Sequence, residues 1–200
     1  MIAIIDYGMG NLRSVTNAFG RIGAQVVVTR DPATIREAGA LVLPGVGAFG
    51  KCVENLKGFG LFDLLKEEIA AGKPYLGICL GMQILLESSE EAPGVEGLGV
   101  IKGRVARFQG AMKIPHMGWN SVDIVRPNPV LEAIPTGSYF YFVHSYYPDP
   151  EEDVSATITD YGIRFTSSIG KGNIFASQFH PEKSQGMGLK LLRNFVSLCA

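Results

Sequence analysis

The chain has 200 residues, of which 46% are hydrophobic and 18% charged, and its formal net charge is −1 at pH 7. This composition is typical of an ordinary globular domain, so we expect a single domain over residues 1–200. No basic surplus is available for a phosphate backbone, which argues against nucleic acid as a partner. Because no apolar run reaches about 18 residues and no secretory signal is visible, we expect a cytoplasmic protein that does not span a membrane.

The three cysteines are widely spaced along the chain, at Cys52, Cys79 and Cys199. This spacing suits neither a disulfide framework nor a zinc site, so each cysteine must be interpreted from its neighbours. We expect no metal and no cofactor.

Short apolar runs alternate with helical patterns in the first half of the chain. Strands are predicted at 2–5, 24–28, 40–43 and 75–79, and helices at 12–22, 32–38, 61–71 and 82–88. Asp31 and Pro32 supply an N-cap and a first helical residue for the second helix. This alternation predicts an α/β fold whose parallel sheet is covered on both faces.

The second half of the chain changes to short β-like runs separated by Gly, Pro, Asn and Asp. Strands are predicted at 100–108, 119–124, 139–146, 155–159, 164–169 and 173–179, followed by a helix at 188–198. We expect these strands to form an antiparallel extension of the sheet. Ligands of open α/β sheets bind at the carboxyl ends of the parallel strands, which directs attention to the segments after Asp6, Leu43 and Ile78.

Residues 77–81 read Gly-Ile-Cys-Leu-Gly, the spacing of a nucleophile elbow in which a strand turns sharply into a helix. The two glycines are needed because a Cβ at either position would collide where strand and helix cross. A helix N-terminus also favours the thiolate of Cys79. Taken alone, so short a motif fits a small buried side chain equally well. Cys52 and Cys199 have no such turn, and we interpret them as packing residues.

A thiolate nucleophile needs a proton partner, and His180 is followed two residues later by Glu182. In an extended segment these side chains share a face about 7 Å apart, so the carboxylate could orient the imidazole. The alternative is a solvated turn with a weak ion pair. The other histidines, His116 and His144, lie in apolar, aromatic strands and are interpreted as hydrogen-bonded core or lining residues.

Residues 43–47 read Leu-Pro-Gly-Val-Gly and end a predicted strand with two closely spaced glycines. Such a loop exposes backbone N–H groups, which a tetrahedral intermediate needs for its oxyanion. The N–H groups of Val46 and Leu80 are our candidates for this oxyanion hole. A phosphate-binding loop is the competing interpretation, but the chain has no Gly-x-x-x-x-Gly-Lys-Ser/Thr pattern. An ordinary turn after a strand also remains open.

Together, the elbow, the Pro-Gly-Val-Gly loop at 44–47 and His-Pro-Glu at 180–182 resemble the class I glutamine amidotransferases, with a Cys-His-Glu triad. Four further stretches are similar to one family within that class, the glutaminase subunits of imidazole glycerol phosphate synthase. They are Asp-Tyr-Gly-Met-Gly-Asn at 6–11, Pro-His-Met-Gly-Trp-Asn at 115–120, Tyr-Phe-Val-His-Ser-Tyr at 141–146 and Gln-Phe-His-Pro-Glu-Lys-Ser at 178–184. The resemblance covers nearly the whole chain.

The resemblance implies a flavodoxin-like fold and hydrolysis of L-glutamine to glutamate and ammonia through a thioester at Cys79. It also implies a heterodimer with a (β/α)8-barrel cyclase, which would use the ammonia to make imidazole glycerol phosphate and an aminoimidazole carboxamide ribotide in histidine biosynthesis. The glutamine contacts carried over from the family are Gly47, Gln83, Glu91, Ser145 and Tyr146. The partner-facing positions carried over are Asn11, Trp119, Tyr141 and Lys183.

Three other functions remain open at this point. The chain could serve another synthase, such as one that makes anthranilate, aminodeoxychorismate or guanylate. It could be a stand-alone cysteine hydrolase that needs no partner. It could also be a binding subunit that keeps the fold and lacks activity, although the presence of Cys79, His180 and Glu182 argues against this.

Overall fold

The computed structural model describes residues 1–199. Twelve strands are present in this part of the chain: β1 Ile2–Ile5, β2 Val26–Thr29, β3 Ala40–Gly45, β4 Tyr75–Cys79, β5 Ser88–Ser89, β6 Gly103–Arg107, β7 His116–Ile124, β8 Ser138–His144, β9 Tyr146–Pro150, β10 Ser155–Asp160, β11 Arg164–Lys171 and β12 Ile174–Ser177. The six α-helices of the same residues are α1 Leu12–Arg21, α2 Pro32–Glu37, α3 Phe49–Gly58, α4 Phe62–Ala70, α5 Leu80–Gln83 and α6 Gln185–Ser197. Two 3-10 helices lie at Pro129–Leu131 and Pro181–Lys183.

Nine strands form one sheet in the order β2-β1-β3-β4-β12-β11-β10-β7-β8. The first five are parallel and the last four extend the sheet with antiparallel pairings. The predicted α/β fold with an antiparallel extension is therefore confirmed. Within this sheet one strand departs from the prediction: β12 is antiparallel to β11 but parallel to β4, so it joins the two halves of the sheet.

The core lies on both faces of this sheet, as the buried strand patterns predict. All four residues of β1 are buried, and their side chains alternate between the two sides. Helices α3 and α4 pack on one face through Phe49 and Leu65. On the other face α1 and α6 contribute Phe19 and Phe195. Both faces are thus removed from water, which is the usual condition for a parallel sheet.

A second, three-stranded sheet of β5, β6 and β9 was not predicted. The predicted strand 139–146 is in fact two strands, because the chain bends at Ser145 and β9 leaves the large sheet to pair with β6. The bend sets Ser145 and Tyr146 at the junction between the two sheets.

The helix predicted at 82–88 is wrong, since α5 begins at Leu80 and ends at Gln83. The carbonyls of Ile84, Leu85 and Leu86 accept hydrogen bonds from residues 98–101 and do not close helical turns. Helix α3 was missed, because its N-terminus has no local capping side chain. Glu91, 42 residues further on, accepts a hydrogen bond from the Phe49 N–H at 2.7 Å and caps the helix.

Helices long and apolar enough to cross a lipid bilayer are absent from residues 1–199.

Candidate active site

The turn from β4 into α5 has the geometry of a nucleophile elbow. Cys79 has φ +54° and ψ −102°, a strained backbone conformation for a residue that is not glycine. A Cβ on Gly77 would overlap the Gly81 carbonyl, and a Cβ on Gly81 would overlap the Leu43 carbonyl. The predicted steric need for both glycines is confirmed.

The sulfur of Cys79 lies at the bottom of a cleft, with 7% of the residue exposed. Its Sγ is 3.4 Å from Nε2 of Gln178 and 4.0 Å from the Val143 carbonyl oxygen. The other cysteines have different surroundings, and burial raises the pKa of Cys52 to about 12 and that of Cys199 to about 11. A neutral, inert thiol is what a packing role requires.

His180 and Glu182 form a buried pair, with both side chains only 2% exposed. Nδ1 of His180 lies 2.8 Å from Oε1 of Glu182. The predicted pairing is present, but its geometric reason was wrong: residues 181–183 form a 3-10 helix, and this turn folds the carboxylate back onto the ring. Two hydrogen bonds hold the His180 backbone. Its N–H donates to the Tyr141 carbonyl at 2.9 Å, and its carbonyl accepts from Ser184 Oγ at 2.6 Å.

The electrostatics of this pair favour a charged imidazole. Burial by itself lowers the pKa of His180, but the negative charge of Cys79, together with the hydrogen bond and the charge of Glu182, outweighs this effect and raises the pKa to about 10. Within residues 1–199, Nε2 of the ring has no hydrogen-bond partner. The ring thus has one nitrogen fixed by a carboxylate and the other open for proton transfer.

A cavity of about 450 Å³ opens in front of Cys79, within the roughly 300–1,000 Å³ of small-molecule sites. Its lining includes both oxyanion candidates and all five of the predicted glutamine contacts: Val46, Leu80, Gly47, Gln83, Glu91, Ser145 and Tyr146. The structure therefore brings together residues that are up to 100 positions apart in the sequence. Their roles toward a substrate remain predictions.

Two of these residues also make hydrogen bonds within the protein. Glu91 caps α3 through one carboxylate oxygen. Gln83 donates its amide hydrogens to the Tyr146 carbonyl and to Oε1 of Gln178, each at 3.0 Å. Gln83 can therefore offer a ligand only its oxygen, as an acceptor.

The oxyanion candidates follow directly after two neighbouring strand ends, because Gly45, at the end of β3, is in register with Cys79 of β4. Val46 is 38% exposed. Gly47 has φ +108°, and a Cβ there would lie 2.6 Å from Met9 Cε. The loop is thus held between the elbow and the connection from β1 to α1, and the backbone conformation at Gly47 needs a glycine.

Three of the four predicted partner-facing residues lie together at the mouth of the cavity. The rings of Trp119 and Tyr141 are 6.2 Å apart in a T-shaped contact, and Lys183 Nζ lies 5.7 Å from the centre of the Tyr141 ring. Lys183 also lines the cavity. Asn11 lies apart from this group as the N-cap of α1, where its side chain accepts a hydrogen bond from the Ser14 N–H at 3.2 Å.

Sequence reasoning missed Gln178, whose side chain is fully buried beside the Cys79 sulfur. Its only signal was its position two residues before His180 at the end of β12. His144 lines the cavity and is hydrogen-bonded to His116, in agreement with the core or lining role predicted for both. Among residues 1–199, no group of three metal-ligating side chains is placed to hold an ion.

The fold and the site define the class of protein. A family model described as glutamine amidotransferase class-I matches residues 3–198. Two solved structures agree on the fold: a crystal structure of a glutamine amidotransferase has a TM-score of 0.79 at 19% identity, covering 100% of this chain and 99% of that one. The structure of PurLQS from Thermotoga maritima has a TM-score of 0.73 at 16% identity, covering 100% and 98%.

Two relatives narrow the assignment. Imidazole glycerol phosphate synthase subunit HisH of Methanothermobacter thermautotrophicus is 56% identical over 198 residues, or 99% of this chain and 98% of the relative. The subunit of the same name from Methanocaldococcus jannaschii is 50% identical and covers 99% of this chain and 100% of the relative. The chain belongs to this HisH family within the class I glutamine amidotransferases.

Proposed function

We propose that this chain is the glutaminase subunit of an imidazole glycerol phosphate synthase. The observation that carries the proposal is the meeting of three features: the strained Cys79 elbow and the Pro-Gly-Val-Gly loop line one cavity, and the buried His180–Glu182 pair lies close enough to Cys79 for the two charges to interact. Together they provide a nucleophile, an acid and donors for an oxyanion, the three parts that acyl transfer needs.

In the first step, the thiolate of Cys79 attacks the side-chain amide carbon of L-glutamine. A carbon–sulfur bond forms while the carbonyl oxygen takes up the negative charge. The backbone N–H groups of Val46 and Leu80 hold this oxyanion, and both residues line the cavity beside the sulfur. One such donor typically contributes about 3 kcal/mol to transition-state stabilisation.

In the second step, the tetrahedral intermediate collapses and the carbon–nitrogen bond breaks. The proton on Nε2 of His180 goes to the departing nitrogen, which leaves as ammonia. Glu182 holds the ring and stabilises its positive charge. His180, now neutral, then takes a proton from water, which attacks the thioester and releases glutamate from Cys79.

Polar groups around the cavity suit the amino-acid end of the substrate. We assign Glu91 and the oxygen of Gln83 to the α-ammonium group, since both are acceptors. Gly47, Ser145 and Tyr146 complete the lining on the other sides. This arrangement leaves the amide end of glutamine to face Cys79.

We further propose that the ammonia passes to a (β/α)8-barrel cyclase, the partner in a heterodimer. Free ammonia is mostly protonated in neutral water and is then a poor nucleophile, so a closed path is chemically favoured. An apolar face on β7 and β8 supports docking at the cavity mouth: Met117 and Tyr139 are each 60% exposed and Trp119 46%. The same proposal includes a single domain over residues 1–200 and a cytoplasmic location, where a nucleophilic thiol stays reduced.

The test is Cys79→Ala, measured with the partner cyclase present. We expect glutamine hydrolysis to fall to background, because no other group can form the thioester, while added ammonium salts still support the synthase reaction. Cys199→Ala is the matched control and should keep full activity, since that half-buried thiol is remote from the cavity. Glutamine turnover that survives the loss of Cys79 would refute the proposal.

A further inference from the structure

Along the wall of the cavity runs a continuous chain of amides and imidazoles, whose hydrogen bonds to one another the mechanism above does not use. Its members in order are Asn120, His116, His144, the backbone carbonyl of Tyr146, Gln83, Gln178 and the sulfur of Cys79. Each hydrogen bond in it has a direction, and these directions can be worked out from one atom.

That atom is the carbonyl oxygen of Tyr146, which can only accept hydrogen bonds. The Gln83 group that lies 3.0 Å away must therefore be Nε2, and its other hydrogen is aimed at Gln178, also at 3.0 Å. Gln178 must present its oxygen to Gln83, so its Nε2 is the end that faces Cys79 Sγ at 3.4 Å. Turning the Gln178 amide over would set two donors against each other.

The same carbonyl fixes the two histidines. His144 donates from Nδ1 to Tyr146 at 2.7 Å, so its Nε2 accepts from Nδ1 of His116 at 2.9 Å. Nε2 of His116 then accepts from Asn120, at 3.2 Å, and Asn120 also donates to the Asp160 carbonyl at 2.8 Å. Both rings are held neutral, and burial lowers the pKa of His116 to about 4 and of His144 to about 3.

We propose that Gln178 is a further catalytic residue, whose amide donates a hydrogen bond to the Cys79 sulfur and stabilises the thiolate. Gln83 and His144 are positioning residues that hold this donor in place through the Tyr146 carbonyl. The inference rests on the proposed function only in taking Cys79 as the nucleophile. Because α5 has four residues, its dipole gives the sulfur little support, and a direct N–H donor compensates.

The test measures the thiolate itself, without glutamine. The full chain is alkylated with iodoacetamide over a range of pH, and the adduct on the Cys79 peptide is quantified by mass spectrometry. In Gln178→Met, which keeps the length and removes the donor, we expect the midpoint of the labelling profile to rise by about one pH unit. Labelling below that midpoint then slows by about tenfold. Gln109→Met, at an exposed glutamine, is the matched control and should not move the midpoint.

Cys52 reports on folding in the same experiment, because it is fully buried and stays unlabelled while the core is intact. An unmoved midpoint with Cys52 still protected overturns the proposal. Should Gln178→Met expose Cys52, Gln178→Asn decides, since it keeps a neutral amide and withdraws the donor from the sulfur by the length of one methylene group. Its midpoint must rise for the proposal to stand.

The positioning role has its own pair of variants. His144→Leu removes the donor to the Tyr146 carbonyl, and we expect a smaller rise of the labelling midpoint. His144→Asn restores a donor near the position of Nδ1, and its midpoint should match that of the unchanged chain. Equal midpoints for both variants would remove the histidines from the proposal. Loss of glutaminase activity plays no part in these outcomes, so they are distinguishable from a failure of the proposed function.

Discussion

At the scale of single residues, the site depends on placing charges where water cannot reach them. His180 and Glu182 are almost fully buried, and removing one partner of a buried ion pair is costly because the other charge is left uncompensated. The raised pKa of His180 follows from this arrangement, because the stabilisation of the protonated ring by Cys79 and Glu182 exceeds the desolvation cost of its charge. A group whose pKa is raised on folding binds its proton more tightly in the folded state than in the unfolded one.

We predict that Glu182→Gln weakens the pH dependence of stability on the alkaline side. In the unchanged chain, protonated His180 contributes to the free energy of unfolding. This contribution is complete below the ordinary histidine pKa of 6.5 and is lost as pH rises toward a pKa of about 10. This loss is at most about 1.4 kcal/mol per pH unit. Without the carboxylate the pKa of His180 falls, so the free energy of unfolding should decline less steeply above neutral pH.

Denaturant unfolding at several neutral and alkaline pH values measures the slope of the free energy of unfolding against pH. Glu54→Gln is a suitable control, because Glu54 makes an exposed surface pair with Lys51 and its side chain is 69% exposed. The control should retain the slope of the unchanged chain. If Glu182→Gln also retains it, Glu182 does not hold the proton on His180.

At the scale of elements, the elbow depends on three backbones that approach without side chains between them. The end of β3, the end of β4 and the short helix α5 meet at Gly45, Gly77 and Gly81. A Cβ on Gly45 would lie 2.6 Å from the Cβ of Leu80 and 2.7 Å from the Tyr7 hydroxyl. These contacts fix the position of the Val46 loop relative to Cys79.

We predict that Gly81→Ala destabilises the protein by about 3 kcal/mol or more, because its new methyl group meets the backbone carbonyl of Leu43 and no side chain can move aside. Gly58→Ala is the matched control, since nothing lies within 4 Å of a Cβ at that position at the end of α3. For Gly58→Ala we expect the free energy of unfolding to stay the same or to rise by up to about 1 kcal/mol. Urea unfolding of both variants checks the prediction, and equal effects would contradict it.

At the scale of the whole molecule, the nine-stranded sheet has two edges with different properties. β2 forms one edge, and β8 forms the other beside β7. Trp119 of β7 pairs with Tyr141 of β8, and their rings lie next to Lys183 at the cavity mouth. A partly exposed aromatic pair beside a cavity is the kind of surface that a partner protein covers.

We predict that Trp119→Ala weakens the complex with the cyclase by at least about 30-fold, the effect of losing an aromatic hot spot of about 2 kcal/mol. The fold should be unaffected, because the side chain is 46% exposed in the free chain. Isothermal titration calorimetry with the partner gives the Kd. Val28→Ala, at an exposed position on the opposite edge strand, is the control. The same Kd for both variants would place the partner elsewhere.

The sequence by itself determined the features that depend on neighbouring residues. Alternating strands and helices predicted the sheet, Asp31 and Pro32 predicted the start of α2, and the glycine spacing predicted the elbow. The pairing of His180 with Glu182 was also predicted, because only one residue separates them. Such features need only local sterics and hydrogen bonds, which a short stretch of sequence contains.

Only the tertiary structure decided what depends on distant residues. The cap of α3 comes from Glu91, the end of α5 is set by carbonyls that bond to residues 98–101, and the second sheet requires β9 to leave the first. The donor on Cys79 belongs to Gln178, 99 positions away, and its direction follows from the Tyr146 carbonyl. A hydrogen bond between remote segments forms only after the chain has closed around it, so no local pattern in the sequence could have predicted it.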